Sequence, residues 1–171
     1  MPHLVDAYFS KSIIYICEHE HDGSIGLIIN KNISNNKSEY ILKESGLNSI
    51  NPIPNIYFGG PVQMHRGLIL HTCDYANYDS KVLSKHISIT SNEQILSDLV
   101  NGCGPNKFRF TFGYAGWGES QLEREFENGD WLLLPASSGL IFDIPDNNKW
   151  EDAAKSFGID IYDIFGSTGI S

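Results

Sequence analysis

The chain has 171 residues, 41% of them hydrophobic and 12% aromatic, which is enough for one globular domain with a real core and excludes a disordered chain. Twelve Lys and Arg face 21 Asp and Glu, a formal charge of −9, and no stretch gathers more than two basic residues. That balance repels a phosphate backbone and argues against direct nucleic-acid binding. No apolar run approaches the ~20 residues of a membrane span, and the start "MPHLVDAYF" lacks the basic and apolar regions of a signal peptide. The expectation is a soluble, cytoplasmic protein. Its three cysteines, Cys17, Cys73 and Cys103, are odd in number and form no CxxC pair, so they read as reduced, packed thiols.

"SIIYIC" (12–17) and "SIGLIIN" (24–30) are rich in β-branched residues and flank Asp22–Gly23, the pattern of a hairpin. A short helix is expected over 38–45, capped by Ser38, ended by Gly46, with Ile41, Leu42 and Leu47 inward. Pro52 and Pro54 mark a loop, and "IYFGGPV" reads as a strand broken at Gly59–Gly60–Pro61. "RGLILHT" is a further strand, 74–86 a polar excursion, and "ISIT" a strand leading into a helix over 91–102. That helix takes Ser91 as its cap, Gln94 as capping-box partner, Ile95, Leu96, Leu99 and Val100 as its stripe, and Gly102 as its end. "KFRFTFG" alternates Phe108, Phe110 and Phe112 with polar residues, a strand with one buried face. "GYAGWG" then reads as a turn before a helix with Leu122 and Phe126 inward, and "WLLLP" as a buried strand. A last helix over 147–157 places Trp150, Ala153, Ala154 and Phe157 on one stripe. Hairpins and helices in this mixture imply a single α+β domain rather than a doubly wound sheet.

Few segments carry chemistry. Gly113, Gly116 and Gly118 precede a helix, as in a phosphate loop, but no Lys-Ser or Lys-Thr follows and the next twelve residues hold five carboxylates against Arg124. Ser120 lacks the frame of a nucleophile elbow. Gly59–Gly60–Pro61 reads as a tight turn. In "CEHEH", a regular strand puts Cys17, His19 and His21 on one face and Glu18 and Glu20 on the other. Alternate ligands of this kind can share a metal, with His71 and Cys73 as distant candidates, but the ligand set is incomplete and no metal is expected. A Cys17–His71 nucleophilic pair lacks the positive surroundings a thiolate needs.

Four long segments occur in order: "MPHLVDAYFSKSIIYICEHEHDGSIGLIINK", "IYFGGPVQMHRGLILH", "FGYAGWGESQLEREFENGDWLLLPA" and "IFDIPDNNKWEDAAKSFGID". Together they resemble the AlgH/YqgE family of bacterial proteins over nearly the whole chain, outside a divergent middle at about 31–55. The resemblance implies one α+β domain with a branched, mostly antiparallel or mixed sheet, including a small closed barrel, surrounded by helices. It implies no established activity, cofactor or catalytic residue, and some members carry the label of a transcriptional regulator of alginate production. With this charge and no helix-turn-helix, a regulatory role is expected to be indirect, through protein contacts. Members usually begin with a further apolar strand before the Met-Pro pair that is 1–2 here; either the start is shorter or the true start lies upstream, and a missing strand would leave a neighbour's backbone groups unpaired at a sheet edge.

The positions matching the family motifs are Cys17, Glu18 and His19; Asn30; Gly59, Gly60 and Pro61; and Gly113, Tyr114, Gly116, Trp117 and Gly118. Two functional readings stand. One is a non-enzymatic binding or indirect regulatory domain without a cofactor. The other is an enzyme or small-ligand sensor with a pocket near Cys17 and the two glycine corners. They separate on whether the motif clusters meet in one cleft. Trp117, set between glycines ahead of a helix, is expected to be buried.

Overall fold

A computed structural model describes residues 7–47, 53–76 and 79–158. The β-branched runs form the hairpin of β1 (Ile14–Glu20) and β2 (Gly23–Ile28). Then come α1 (Asn35–Glu44), β3 (Ile56–Phe58), β4 (Val62–Thr72), β5 (Lys81–Val82), β6 (Ile87–Thr90), α2 (Gln94–Val100), β7 (Phe108–Gly118), α3 (Gln121–Glu127), a π-helical turn (Gly139–Asp143) and α4 (Asp146–Ser156). Helix α1 starts earlier than its expected cap. Ser34 is the N-cap, and Ser38 lies buried inside the helix, its hydroxyl donating to the Ile33 carbonyl at 3.2 Å. Leu42 is buried, and Ile41 and Leu47 pack against the same cluster. At α2 it is Asn92, not Ser91, whose side chain accepts the Gln94 amide at 2.9 Å, and Val100 is exposed.

The strands form one curled sheet in the order β1-β2-β7-β4-β6-β5, with β3 pairing β7 off that path. All pairs are antiparallel except β3 with β7. Among the described residues the backbone ladder ends at β1 and at β5, so it forms a half-barrel, not the closed barrel that was expected. A side-chain ion pair, Lys81 Nζ to Glu18 Oε1 at 2.8 Å, spans that seam.

Strand β7 is the hub, and "GYAGWG" belongs to it. The expected glycine turn is instead strand up to Gly118, paired with β2 from Gly23↔Gly118 to Gly26↔Ala115. Nor is β7 one-faced. Phe110 and Phe112 pack under α1 and α2, while Arg109 and Thr111 are buried on the opposite face.

The glycines explain how the chain reaches both edges of β7. β3 runs parallel along residues 110–112 up to the pair Phe58↔Phe112, whereas β4 pairs with the same residues from the other edge and also matches Val62 to Tyr114. Gly59, Gly60 and Pro61 must therefore cross the face of β7 at Gly113. No side-chain layer separates the two backbones. A Cβ on Gly60 would lie 2.1 Å from the Tyr114 carbonyl carbon, and one on Gly59 or Gly113 would lie 2.2 Å from a backbone oxygen of the other segment. Gly113 also sits at φ 73°, a left-handed conformation that side chains disfavour. Gly59 anchors the crossing, its N–H donating to Phe112 O at 2.8 Å and its carbonyl accepting from Ile28 N at 2.9 Å.

A buried ionic cluster docks α4 and the π-helical turn on the sheet. Arg109 NH1 lies 2.9 Å from Asp146 Oδ1, Arg109 Nε donates to Ile141 O at 2.5 Å, and the guanidinium stacks 4.4 Å over the Tyr57 ring. The Tyr57 hydroxyl donates to Asp146 Oδ2 at 3.0 Å. Lys149, fully buried, donates to Ile144 O and lies 3.5 Å from Asp146. Burial, and then the neighbouring Arg109 charge, lower the Lys149 pKa, with Asp146 opposing them.

The expected buried strand "WLLLP" is not a strand. Residues 131–137 have no regular structure, and Leu133 is 71% exposed. A strand needs a ladder partner, and among the described residues no backbone pairs with Leu132–Ala136. This segment walls an apolar groove of about 270 Å³ that also touches Ile16, Trp117, Phe126 and Trp150.

Trp117 is buried, 7% exposed, as expected. Its indole N–H donates to Glu125 Oε2 at 2.9 Å, and Trp131 donates to the same oxygen at 2.7 Å. Burial pushes the Glu125 carboxyl up, but donors from Trp131, Gln121 and Trp117, with Arg124 nearby, together hold it below the usual range.

Gly60→Ala places its methyl on the β7 backbone and is expected to cost more than ~4 kcal/mol or abolish folding, whereas Gly46→Ala, at φ 76° with open space around it, should cost only about 1–2 kcal/mol. Urea unfolding of both variants checks this; equal losses would contradict it. Trp117→Ala should cost roughly 3–5 kcal/mol. For Glu125 the folded pKa is depressed, so its contribution is present above the unfolded value, about 4.3, and is lost as pH falls through the folded value. The stability gap between wild type and Glu125→Gln should therefore be full at pH 7 and shrink progressively in acid.

Candidate functional site

Strand β1 does not keep its alternation through "CEHEH". Ile16 pairs with Gly26 and Glu18 with Ile25, so Cys17 is the extra residue of a β-bulge. The bulge re-aims everything after it. Cys17 and Glu18 turn to the same side, where both line one pocket. His19 turns to the other, its Nδ1 2.7 Å from Ser24 Oγ and its Nε2 3.5 Å from Glu123. His21 lies 3.7 Å from Glu119. The expected common face of Cys17, His19 and His21 is thus broken. Among the described residues no group of three or more His, Cys, Asp and Glu is placed to hold a metal.

The Cys17 pocket sits at the seam between β1 and β5 and encloses about 230 Å³. Ile25, Leu68, Leu83 and Ile89 supply its apolar wall, and Arg66, Asp79, Lys81, Thr90, Ser91 and Tyr114 its polar groups. Burial, reinforced by the Glu18 charge, pushes the Cys17 thiol up to about 12. The hydrogen bond from Lys81, and its charge, hold Glu18 below the ordinary carboxylate range. Cys17 is therefore a resting thiol and Glu18 a fixed carboxylate at neutral pH.

The other singled-out residues do not join this pocket, Tyr114 excepted. Gly59, Gly60 and Gly113 are closed against each other at the crossing, with Pro61 leading out of it. Gly116 and Gly118 belong to the β7 ladder with β2. Trp117 faces the apolar groove on the opposite side of the sheet. Asn30 is a backbone clamp, accepting from Ile13 N at 2.9 Å and donating to Lys11 O at 2.8 Å. His71 is fully buried, bonded to Thr72 O at 2.9 Å and 3.3 Å from Ser80 Oγ, and burial lowers its pKa, so it is neutral. Cys73 contacts Ser88 at 3.2 Å. The motif clusters thus do not meet in one cleft. Sequence reasoning missed Arg66 and Lys81, which enter the pocket from β4 and β5; as isolated charges in polar surroundings they carry no local pattern.

Residues 1–162 match the profile of the AlgH-like family (DUF179). A UPF0301 protein of Shewanella woodyi is 38% identical over 174 residues, covering 99% of this chain and 93% of its own length. A UPF0301 protein of Cupriavidus metallidurans is 36% identical over 171 residues, covering 99% and 90%. The fold is similar to the solution structure of the AlgH protein from Pseudomonas aeruginosa, with a TM-score of 0.75 at 30% identity, over 100% of this chain and 92% of that one. It is also similar to the crystal structure of a Corynebacterium diphtheriae protein, with a TM-score of 0.71 at 20% identity over 98% and 87%, a likeness of fold alone. On profile and on identity over nearly its full length, the chain belongs to the AlgH-like family, the AlgH/YqgE proteins that its motifs resemble.

Proposed function

We propose that the protein is a non-enzymatic binding domain that holds a small ligand in the seam pocket beside Cys17, Glu18 and Tyr114. One observation carries this reading. The pocket is walled by apolar side chains and rimmed by charges, yet the groups best suited to chemistry are held inactive. Cys17 is a thiol with its pKa pushed up to about 12, and Glu18 is pinned by Lys81; His71, outside the pocket, is neutral and bonded to the backbone. A nucleophile needs a depressed pKa or an adjacent base, and a general acid or base needs a pKa near neutrality. The glycine corners take no part, because their backbones are in contact. A regulatory role is indirect in this reading. With a formal charge of −9, the chain as a whole repels a phosphate backbone.

The test is to expose the full chain to a panel of carboxylates, amino acids, nucleosides and sugars, reading amide shifts by NMR and the compounds by mass spectrometry. The expected result is saturable shifts at Cys17, Glu18, Lys81 and Tyr114 with the ligand recovered unchanged. Conversion of a compound, abolished by Glu18→Gln or Cys17→Ser, would overturn the reading. The thiol makes a separate forecast. At pH 8 a pKa of about 12 leaves roughly one Cys17 in ten thousand as thiolate. Iodoacetamide should therefore label the exposed Cys73 and Cys103 and leave Cys17 unmodified in the folded protein. Labelling of Cys17 at the rate of Cys103 would contradict it.

A further inference from the structure

Strand β4 does not run straight into its ladder. Val62 pairs with Tyr114 and Gly67 with Phe112, so β4 advances five residues while β7 advances two, and residues 63–66 form an irregular bulge within the strand. Gln63 takes φ 45°, a left-handed conformation that a non-glycine residue adopts only when its surroundings impose it. Bulges of this kind re-aim side chains beside binding sites. This one brings Arg66 to the rim of the seam pocket.

Two donors there are unengaged. The Arg66 guanidinium makes one long hydrogen bond, 3.5 Å to Gln63 Oε1, and has no carboxylate partner among the described residues. Tyr114 lines the same pocket, and its hydroxyl has no hydrogen-bond partner among the described residues. The other cation, Lys81, is occupied by Glu18, and Asp79 accepts from Asn92 at 2.5 Å.

Resting on the reading of the seam pocket as the ligand site, we infer that it binds a small organic monocarboxylate, the carboxylate on Arg66 and Tyr114 and the body on Leu68, Leu83 and Ile89. A guanidinium fork matches a carboxylate bidentately. Two features select the class. Glu18 and Asp79 in the same pocket repel a dianion such as phosphate more strongly than a monoanion. The enclosed volume, about 230 Å³, lies below the ~300 Å³ at which drug-sized sites begin, so the body is a branched aliphatic chain or a single ring.

The experiment titrates the full chain with phenylacetate and 4-methylvalerate, and in parallel with phenylacetamide and inorganic phosphate, following amide shifts at Leu68, Lys81, Ile89 and Tyr114. The carboxylates should shift these amides saturably, and phenylacetamide should bind at least about tenfold more weakly. Arg66→Gln, at an exposed position, should weaken carboxylate binding by about tenfold or more and leave phenylacetamide unchanged, with Arg66→Lys recovering only part of the loss. Equal carboxylate binding by wild type and Arg66→Gln, phosphate binding as tight as phenylacetate, or no saturable shift from either carboxylate up to about 20 mM would each overturn the inference. Binding of a neutral or zwitterionic probe at the same amides, indifferent to Arg66, would end this inference while leaving the pocket as the ligand site. Consumption of a probe would end the broader reading instead.

Discussion

Everything in this fold is arranged around one contact between two stretches of bare backbone. The chain passes over β7 between Phe112 and Tyr114, and at that point neither segment has room for a Cβ. A crossing without a side-chain layer requires glycine on both sides, here Gly59 and Gly60 above and Gly113 below. In return, a single strand is paired on both edges. β3 and β4 share residues 110–112 of β7, and β2 joins its second half. The branched sheet needs the crossing, because three residues cannot otherwise take the chain from one edge of a central strand to the other.

The crossing also sets the two sides of the molecule. Past Gly113, Tyr114 packs against the cluster inside the curl, while Ala115 and Trp117 pack beneath α3. Leaving the crossing, β4 takes up its pairing at Val62, loses register over residues 63–66 and regains it at Gly67. The seam pocket lies where two irregularities meet, the bulge at Cys17 on β1 and the bulge carrying Arg66 on β4. A regular sheet would place Glu18 and Arg66 elsewhere. At the far end of β7, Arg109 on the face opposite Phe110 ties the sheet to α4 through Asp146. The cluster leaves two buried atoms in contact without good hydrogen-bond geometry, Arg109 NH1 and Asp146 Oδ1. Such a cluster fixes orientation more than it adds stability, since ionic desolvation offsets much of the attraction.

Much of the fold was legible in the sequence because periodicity reports burial. The first hairpin, the α1 stripe and "ISIT" followed from alternation or the 3.6 period, as did the α2 and α4 stripes except at their last residues, Val100 and Phe157, which are exposed. The failures have physical causes. "GYAGWG" reads as a turn because glycine serves both left-handed turns and close backbone approach, and only the partner strand distinguishes them. "WLLLP" has strand composition, but composition does not supply a ladder. The bulge at Cys17 leaves no trace in "CEHEH", so the predicted faces are right up to Cys17 and reversed beyond it. Lys149 carries the formal signature of a solvated residue; its place one turn ahead of Ala153, on the buried stripe, was the available hint. Of the candidate site, Cys17, Glu18 and Tyr114 were legible as motif positions. Arg66 and Lys81 were not, because what makes them matter is proximity across more than forty residues of chain.

Native-state amide hydrogen exchange tests the central role of the crossing most directly. The amides of Ile28 and Gly59 are both bonded at it, one to Gly59 O and one to Phe112 O. If the crossing holds the sheet together, neither can open without unfolding the hub strand. Their exchange free energies should then equal the global unfolding free energy and fall with denaturant along the global slope. Exchange through local openings, with free energies several kcal/mol below the global value and no denaturant dependence, would contradict the account and place the organising contact elsewhere in the sheet.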